Sequence, residues 1–419
     1  MKSRQLVRLV SASLLAFLAS QARANVLTVG GANGMFSDIQ SAVNAASDGD
    51  VILVRPGTYH HGFSVGGKSL FIAADPAGSV TTGPITVSGL GAAQRCSISG
   101  IAARGTVASV TAFNAHDSQG ALRLQSMTFN DPPVFGTVHG ATLANCGNVA
   151  FAGCTLFGQP TGPTGNTSGA GLESQNSSIA LYDDSIQGAP GHDGFVDALP
   201  ESPGFGGPGC LLVNGNLFAS GSTVHGGDGG SGSPASCSPG PFPGGDALPG
   251  ATGIYGFPAT ILDSIVTGGH GGQGGAAAPA CGMPGGSSAA DGFDFLFPAT
   301  VLAGQHKTLT APTLVRELHT LDLQVAGNAG DNVWLSTSNG ASWRLSPARR
   351  GVVLLSQPSD VSFLGTVPAN GMLRASVPIG DLGPGVQDRP LFLQATCIDG
   401  AGHVTLTGPA VVVLLDQMF

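Results

Sequence analysis

Two adjacent carboxylates followed closely by a histidine are the chemistry-bearing feature of this chain. Asp183-Asp184 precedes Gly191-His192-Asp193-Gly194, which makes Asp183, Asp184, His192 and Asp193 the candidate catalytic groups. Hydrolysis between sugars needs two carboxyl groups facing one groove. Adjacent strand residues point to opposite faces, so Asp183 and Asp184 share a groove only if the strand has ended there. Elimination needs a cation beside the proton being removed, with acidic residues holding calcium. Between Thr106 and Val301 the only Lys or Arg is Arg123. His225 and His270 stand alone and read as surface histidines. No Ser-His-Asp pattern, phosphate-binding glycine loop or CxxC pair stands out.

The elements that would position these groups repeat. One phrase recurs as Cys96–Gly100, Ser126–Asn130, Cys154–Gly158, Asp184–Gly188, Ser222–Gly226 and Ser264–Gly268. Its last position is Gly in five copies and Asn in the other, the residues most tolerant of positive φ. Its centre is Ile98, Leu156, Ile186, Val224 or Val266, with Thr128 as the weak copy. A strand ending in a left-handed turn, once per coil of a solenoid, accounts for both columns. Asp184 sits in the first column, where other coils carry Ser or Cys. That placement favours a turn-stacking carboxylate over a catalytic one.

Ahead of the repeats lies FSDIQSAVNAASDGDVILVRPGTY, residues 36–59. Ser37 and Gln40 have capping-box spacing, Phe36, Ile39, Val43 and Ala46 share a helical face, and Gly49 is placed to end the helix. Val51-Ile52-Leu53-Val54 is a run expected of a strand buried on both sides, and Pro56-Gly57 turns the chain. This stretch resembles the N-terminal cap of right-handed parallel β-helix proteins, the pectin-lyase-like superfamily. The resemblance implies an all-β solenoid with a helix cap and, often, cleavage or de-esterification of acidic polysaccharides. Asp183-Asp184 and the Gly-His-Asp-Gly segment loosely resemble the paired-Asp and Gly-His-Gly elements of polygalacturonases. The flanking Gly-Asp-Asp-Cys context of that family is absent, and an Asp interrupts the Gly-His-Gly.

Later insertions, residues 158–171, 188–209, 226–250 and 268–286, are dominated by Gly, Pro, Ser and Ala. Glycine-packed or flexible loops on one side of the solenoid are expected. A calcium-binding glycine roll requires Asp at a fixed register; Asp228, His270 and Asp246 are isolated, so no cofactor is expected, and Ca2+ is the weaker reading. Seven cysteines cannot all pair within the chain. Cys237 and Cys281, in glycine-rich loops of successive coils, are the best disulfide candidates. Cys96 and Cys154 read as buried thiols in equivalent strands two coils apart, and Cys210 and Cys397 sit in apolar runs.

Residues 1–24 have the basic start, short apolar core and Ala22-Arg23-Ala24 cleavage pattern of a secretion signal. Ten apolar residues are too few to span a bilayer, so an exported protein beginning at Asn25 is expected. Without the signal, 12 Lys and Arg face 25 Asp and Glu, a formal charge of −13. Nucleic acid and anionic membranes are unsuitable partners for such a chain. Residues 25–300 read as the β-helix and 301–419 as a small antiparallel β-sandwich of seven strands, with hairpin turns at Pro368–Gly371 and Asp399–Gly402. Trp334 and Trp343 are candidates for stacking on sugar rings, although core or turn packing suits each better. Two functions follow: a secreted scaffold or adhesin-like protein that binds extracellular polysaccharide, or a carbohydrate-active enzyme, lyase or hydrolase, using carboxylates on the β-helix.

Overall fold

A computed structural model describes residues 24–419 apart from 33, 106–110, 130–138, 161–167, 196–200, 239–240 and 257. The proposed signal, except Ala24, and Asn130 of the repeat lie outside the described residues. The chain is nearly all β, and its N-terminal part is a parallel β-helix with three faces. The first face runs from Val26–Val29 through Val51–Val54, Leu70–Ala74, Arg95–Ser99, Ala121–Gln125 and Asn148–Ala152, ending at Thr300–Leu302. The second runs from Gly57–Tyr59 to Ile265–Thr267, and the third from Phe63–Gly66 to Ile254–Tyr255. The first and third faces merge in the long strands Leu172–Tyr182 and Cys210–Ser220, each of which serves both.

Register stacks like on like. Ile52, Ile72, Ile98, Leu124, Phe151, Leu181, Ala219 and Ile261 form one interior column of the first face. All are buried in a single continuous core. A corner between faces needs one residue with positive φ, which Gly and then Asn or Asp adopt most readily. Asp117, Asn145, Asn176 and Asn214 hold such a corner at φ 50–60°. Each Asn side-chain amide donates to the carbonyl or carboxylate one coil below, at 2.9–3.2 Å.

The cap helix, Ile39–Ala45, buries Ile39, Ala42 and Val43 over the first coil. Its N-cap is Asp38, which accepts from the Ser41 N–H at 2.8 Å, and not the expected Ser37–Gln40 box. Gln40 reaches Asn44 and the Ser64 backbone instead. Gly49 is left-handed (φ 97°) but lies beyond the helix end, whose C-cap is Ala46.

The six-copy phrase needs two corrections. Its first copy lies on the first face, where Ile98 pairs with Leu124, whereas the others lie on the second. There the interior column is Phe129, Leu156, Ile186, Val224 and Val266, so Phe129 and not Thr128 is the core residue. Cys96 and Cys154 therefore belong to different faces, although both are buried free thiols. Secondly, Gly158, Gly188, Gly226 and Gly268 are not left-handed; Gly100 is. A Cβ on those four would lie 1.9–2.2 Å from a carbonyl oxygen of a neighbouring segment. They are glycine because another backbone occupies the side-chain position.

That close approach continues through the glycine-rich insertions. Gly188, Gly191 and Gly194 donate to the carbonyls of His225, Asp228 and Ser231, and Gly226, Gly229 and Gly232 to those of Thr267, His270 and Gln273. Antiparallel partners keep the same step of three, as when Gly227 and Gly230 donate to Gly207 and Gly204. Hydrogen bonding every third residue suits extended, polyproline-like segments with three residues per turn, whose amides point outward rather than along the segment. The insertions thus form a layered bundle. Its last coil has amides with no further coil above, and Asp294, Asp291 and Ser288 side chains accept from Gly268, Gly271 and Gly274. A Cys237–Cys281 disulfide joins the bundle's outer loops across a sequence separation of 44.

Beyond Leu302 a three-stranded sheet (Thr308–Thr310, Thr320–Ala326, Met372–Pro378) faces a five-stranded one (Leu314–Arg316, Asn332–Ser338, Asp360–Thr366, Asp388–Ile398, Val404–Leu415). Leu321, Leu323 and Val325 pack against Val333, Leu335, Leu393 and Val412 between them. A separate hairpin pairs Ala341–Ser346 with Gly351–Leu355. Asp399–Gly402 is the expected hairpin turn, closed by the Gly402 N–H on the Asp399 carbonyl. Pro368–Gly371 also turns but passes from the five-stranded to the three-stranded sheet, so it is not a hairpin.

An added methyl is most disruptive where layers touch. At Gly227 a Cβ would sit 1.8 Å from the Ala189 oxygen, whereas at Gly380 nothing lies within 4 Å. Gly227→Ala should cost about 1–3 kcal/mol and lower the midpoint of thermal unfolding, with Gly380→Ala unchanged.

Candidate functional site

The strand carrying the paired acids ends at Tyr182, and the next begins at Ser185. Asp183 and Asp184 occupy the corner between and turn opposite ways. Asp184 points into the stack, 3% exposed. Its two oxygens accept from the Cys154 N–H (2.7 Å) and Tyr182 N–H (2.9 Å). Burial holds its carboxyl well above the usual carboxylate range despite those bonds. Asp184 serves as a bracket between coils.

Asp183 takes the left-handed corner (φ 56°) and faces outward. Two coils on, Asp263 holds the same corner (φ 45°), with Gly221 between them. His306, from the segment leading into the sandwich, lies over Gly221; a Cβ there would meet its ring at 2.6 Å. Its Nδ1 is 3.0 Å from Asp263 Oδ2, and its Nε2 is 3.5 Å from Asp183 Oδ1. Thr308 Oγ1 donates to Asp183 at 3.2 Å. Burial raises the Asp183 carboxyl, while the His306 hydrogen bonds lower that of Asp263. This Asp-His-Asp group is partly open to solvent. His306 and Asp263 are not legible as partners of Asp183, because they lie 123 and 80 residues further along the chain and only coil stacking and the return of the chain unite all three.

His192 and Asp193 lie in the glycine bundle. Asp193 is exposed, and its Oδ1 accepts from the Ser231 N–H at 2.8 Å; His192 Nδ1 is 3.1 Å from the Asp193 carbonyl. Asp228 and Asp246 accept backbone amides of His270 and Ser287 in the same manner. Among the described residues, no three His, Cys, Asp or Glu gather as a metal-binding group.

The outward side of the first face is covered. Phe71 packs with Phe392 and Val411 of the sandwich, and Tyr182 and Phe218 with Val352 and Leu354 of the hairpin. Arg123 is the keystone. It is fully buried, and its guanidinium donates to the Asn148 side chain and to the carbonyls of Asn148, Ser342 and Leu354 at 2.8–3.3 Å. Burial pulls its pKa down to about 9. Gln125 accepts from the Val411 N–H, and the Tyr182 hydroxyl from the Val352 N–H. Arg123 is unavailable to any substrate.

The sandwich carries its own concavity, of about 360 Å3, between the five-stranded sheet and the hairpin. Trp334 lines it and is 38% exposed within a strand, correcting the core or turn packing expected for this indole. Val333 and Leu335 on either side enter the core, so alternation sends Trp334 outward. Phe363 supports its ring at a centroid distance of 5.0 Å. Ser336, Gln357, Ser359 and Thr396 surround it, and of the described lining residues Arg349 alone is charged. Trp343 instead packs against the buried cluster at the solenoid–hairpin interface.

No known sequence family and no curated protein matches the chain. Among solved structures, it is similar to a pectin methylesterase in complex with a hexasaccharide, at 12% identity over 59% of this chain and 90% of that one (TM-score 0.28). Pectin methylesterase PemA from Erwinia chrysanthemi gives 11% over the same shares (0.23). The tailspike protein gp49 of Acinetobacter baumannii bacteriophage Fri1, a capsular polysaccharide depolymerase, gives 10% over 94% and 84% (0.20).

The two neighbouring acids should separate on mutation. Asp184→Ala strands two buried amides at about 1–3 kcal/mol each and should lower the thermal midpoint sharply. Asp183→Asn should leave it nearly unchanged.

Proposed function

We propose that the chain is an exported, pectin-lyase-like β-helix scaffold that binds extracellular polysaccharide and does so through its sandwich rather than its parallel sheet. The observation that carries this reading is the Trp334 groove. It combines a partly exposed indole and aliphatic side chains with hydroxyl and amide groups and one guanidinium, a mixture suited to the apolar faces and hydroxyl rims of sugars. Its volume lies within the ~300–1,000 Å3 usual for small-molecule clefts. The covered first face and the bracket roles of Asp184 and Asp193 favour binding over turnover. The Asp183–His306–Asp263 group favours the second reading, a carbohydrate-active enzyme.

Both readings meet in one experiment on residues 25–419. A panel of neutral and acidic polysaccharides is screened for binding, and for new reducing ends or unsaturated products with and without calcium. Binding without products, weakened about tenfold or more by Trp334→Ala (a loss of ~1.4 kcal/mol), is the expected result. Products that disappear with Asp183→Asn or His306→Ala would move the protein to the enzymes. Binding that ignores Trp334→Ala would remove the groove from the account.

A further inference from the structure

Where the first solenoid strand meets the sandwich, two carboxylates are buried together. Asp50, 3% exposed, lies in the turn after the cap helix, and its oxygens accept from the backbone N–H groups of Asn25 (2.7 Å) and Ser47 (2.8 Å). Asp388, 6% exposed, begins a sandwich strand, and neither of its oxygens has a hydrogen-bond donor. The adjoining Gln387 side chain accepts from the Val26 N–H at 2.8 Å, which brings this end of the strand to residues 25–26. Burial first, and the charge of Asp50 second, push the Asp388 carboxyl up to about 7. Among the described residues, no Lys, Arg or His forms an ion pair with either acid. A buried carboxylate without a partner is costly: it either takes up a proton or is stabilised by a counter-charge.

The backbone nitrogen already in contact with Asp50 belongs to Asn25, the residue after Ala22-Arg23-Ala24. While the peptide bond is intact, that nitrogen is a neutral amide with one proton. Hydrolysis by an export protease adds water across the Ala24–Asn25 bond. Ala24 leaves as the carboxylate terminus of the signal, and Asn25 keeps an α-ammonium with three donors and a full positive charge. We propose that signal removal creates the missing counter-ion: the α-ammonium of Asn25 pairs with Asp50 and Asp388 and fastens the sandwich to the first coil. This rests on the export reading for the cleavage, whereas the acid pair stands on its own. One extra residue would move the charge by up to ~3.3–3.6 Å, so the position of the cut matters.

The test compares two proteins released from a fusion by a site-specific protease, residues 25–419 and residues 24–419, each also carrying Asp50→Asn with Asp388→Asn. Thermal unfolding is followed at pH 7.5. The form beginning at Asn25 should melt higher by roughly 1–2 °C, the shift expected of a chain this long when one buried ion pair is gained, and the difference should vanish in the double variant. Equal midpoints for the two wild-type forms would overturn the proposal, as would a difference that survives removal of both carboxylates. N-terminal sequencing of the exported protein tests the cleavage separately. A start other than Asn25 would overturn the processing step, even if the midpoint difference is found.

Discussion

Every coil must place its backbone amides against the carbonyls of the next, and that fixed step governs the whole molecule. On the three faces it is the spacing of paired strands, about 4.8 Å, and it stacks Ile over Ile and Asn over Asn. Corners that repeat at each step select residues able to turn left-handed. The same step continues into the insertions, because their segments bond from coil to coil in line with the strands that feed them. With backbones packed on several sides, a Cβ has no place there. The glycine content is therefore a consequence of backbone-to-backbone contact more than of looseness.

A regular stack has two ends, and each is closed by a different device. Helix 39–45 covers the first coil with Ile39, Ala42 and Val43. At the far side of the glycine bundle, Ser288, Asp291 and Asp294 satisfy the amides that would otherwise await another coil. Their spacing of three matches the bundle's own period. Asp291 and Asp294 are thus acceptors for orphan backbone donors, a need as strict in an extended bundle as at a helix end.

Docking the sandwich on the first face redistributes what the molecule can offer to a partner. Phe71, Tyr182 and Phe218 lose their solvent, and Arg123 becomes a buried crosspiece whose charge is spread over carbonyl groups. Exposure moves to the sandwich itself, where Trp334 stands on the outer side of a strand whose other side fills the core. The interface also collects Asp50 and Asp388, both almost completely buried.

Local patterns along the chain are enough to specify the architecture. Hydrophobic periodicity, capping of the first coil and regularly placed turn residues are local signals, so a capped β-helix followed by β strands was legible. Exact register was not: the phrases at Cys96 and Cys154 read alike yet lie on different faces, because neither alternation nor glycine says which side of a triangle a strand occupies. The Cys237–Cys281 contact could be reasoned from successive loops, since coil stacking makes them neighbours. The surroundings of Asp183 could not, because His306 returns from the end of the solenoid. A turn-stacking role for Asp184 is already favoured by its column in the repeat, but that Arg123 is spent on an interface and that Trp334 faces outward emerge only from the folded chain. Burial and partnership are set by residues tens to hundreds of positions away, which no local pattern encodes.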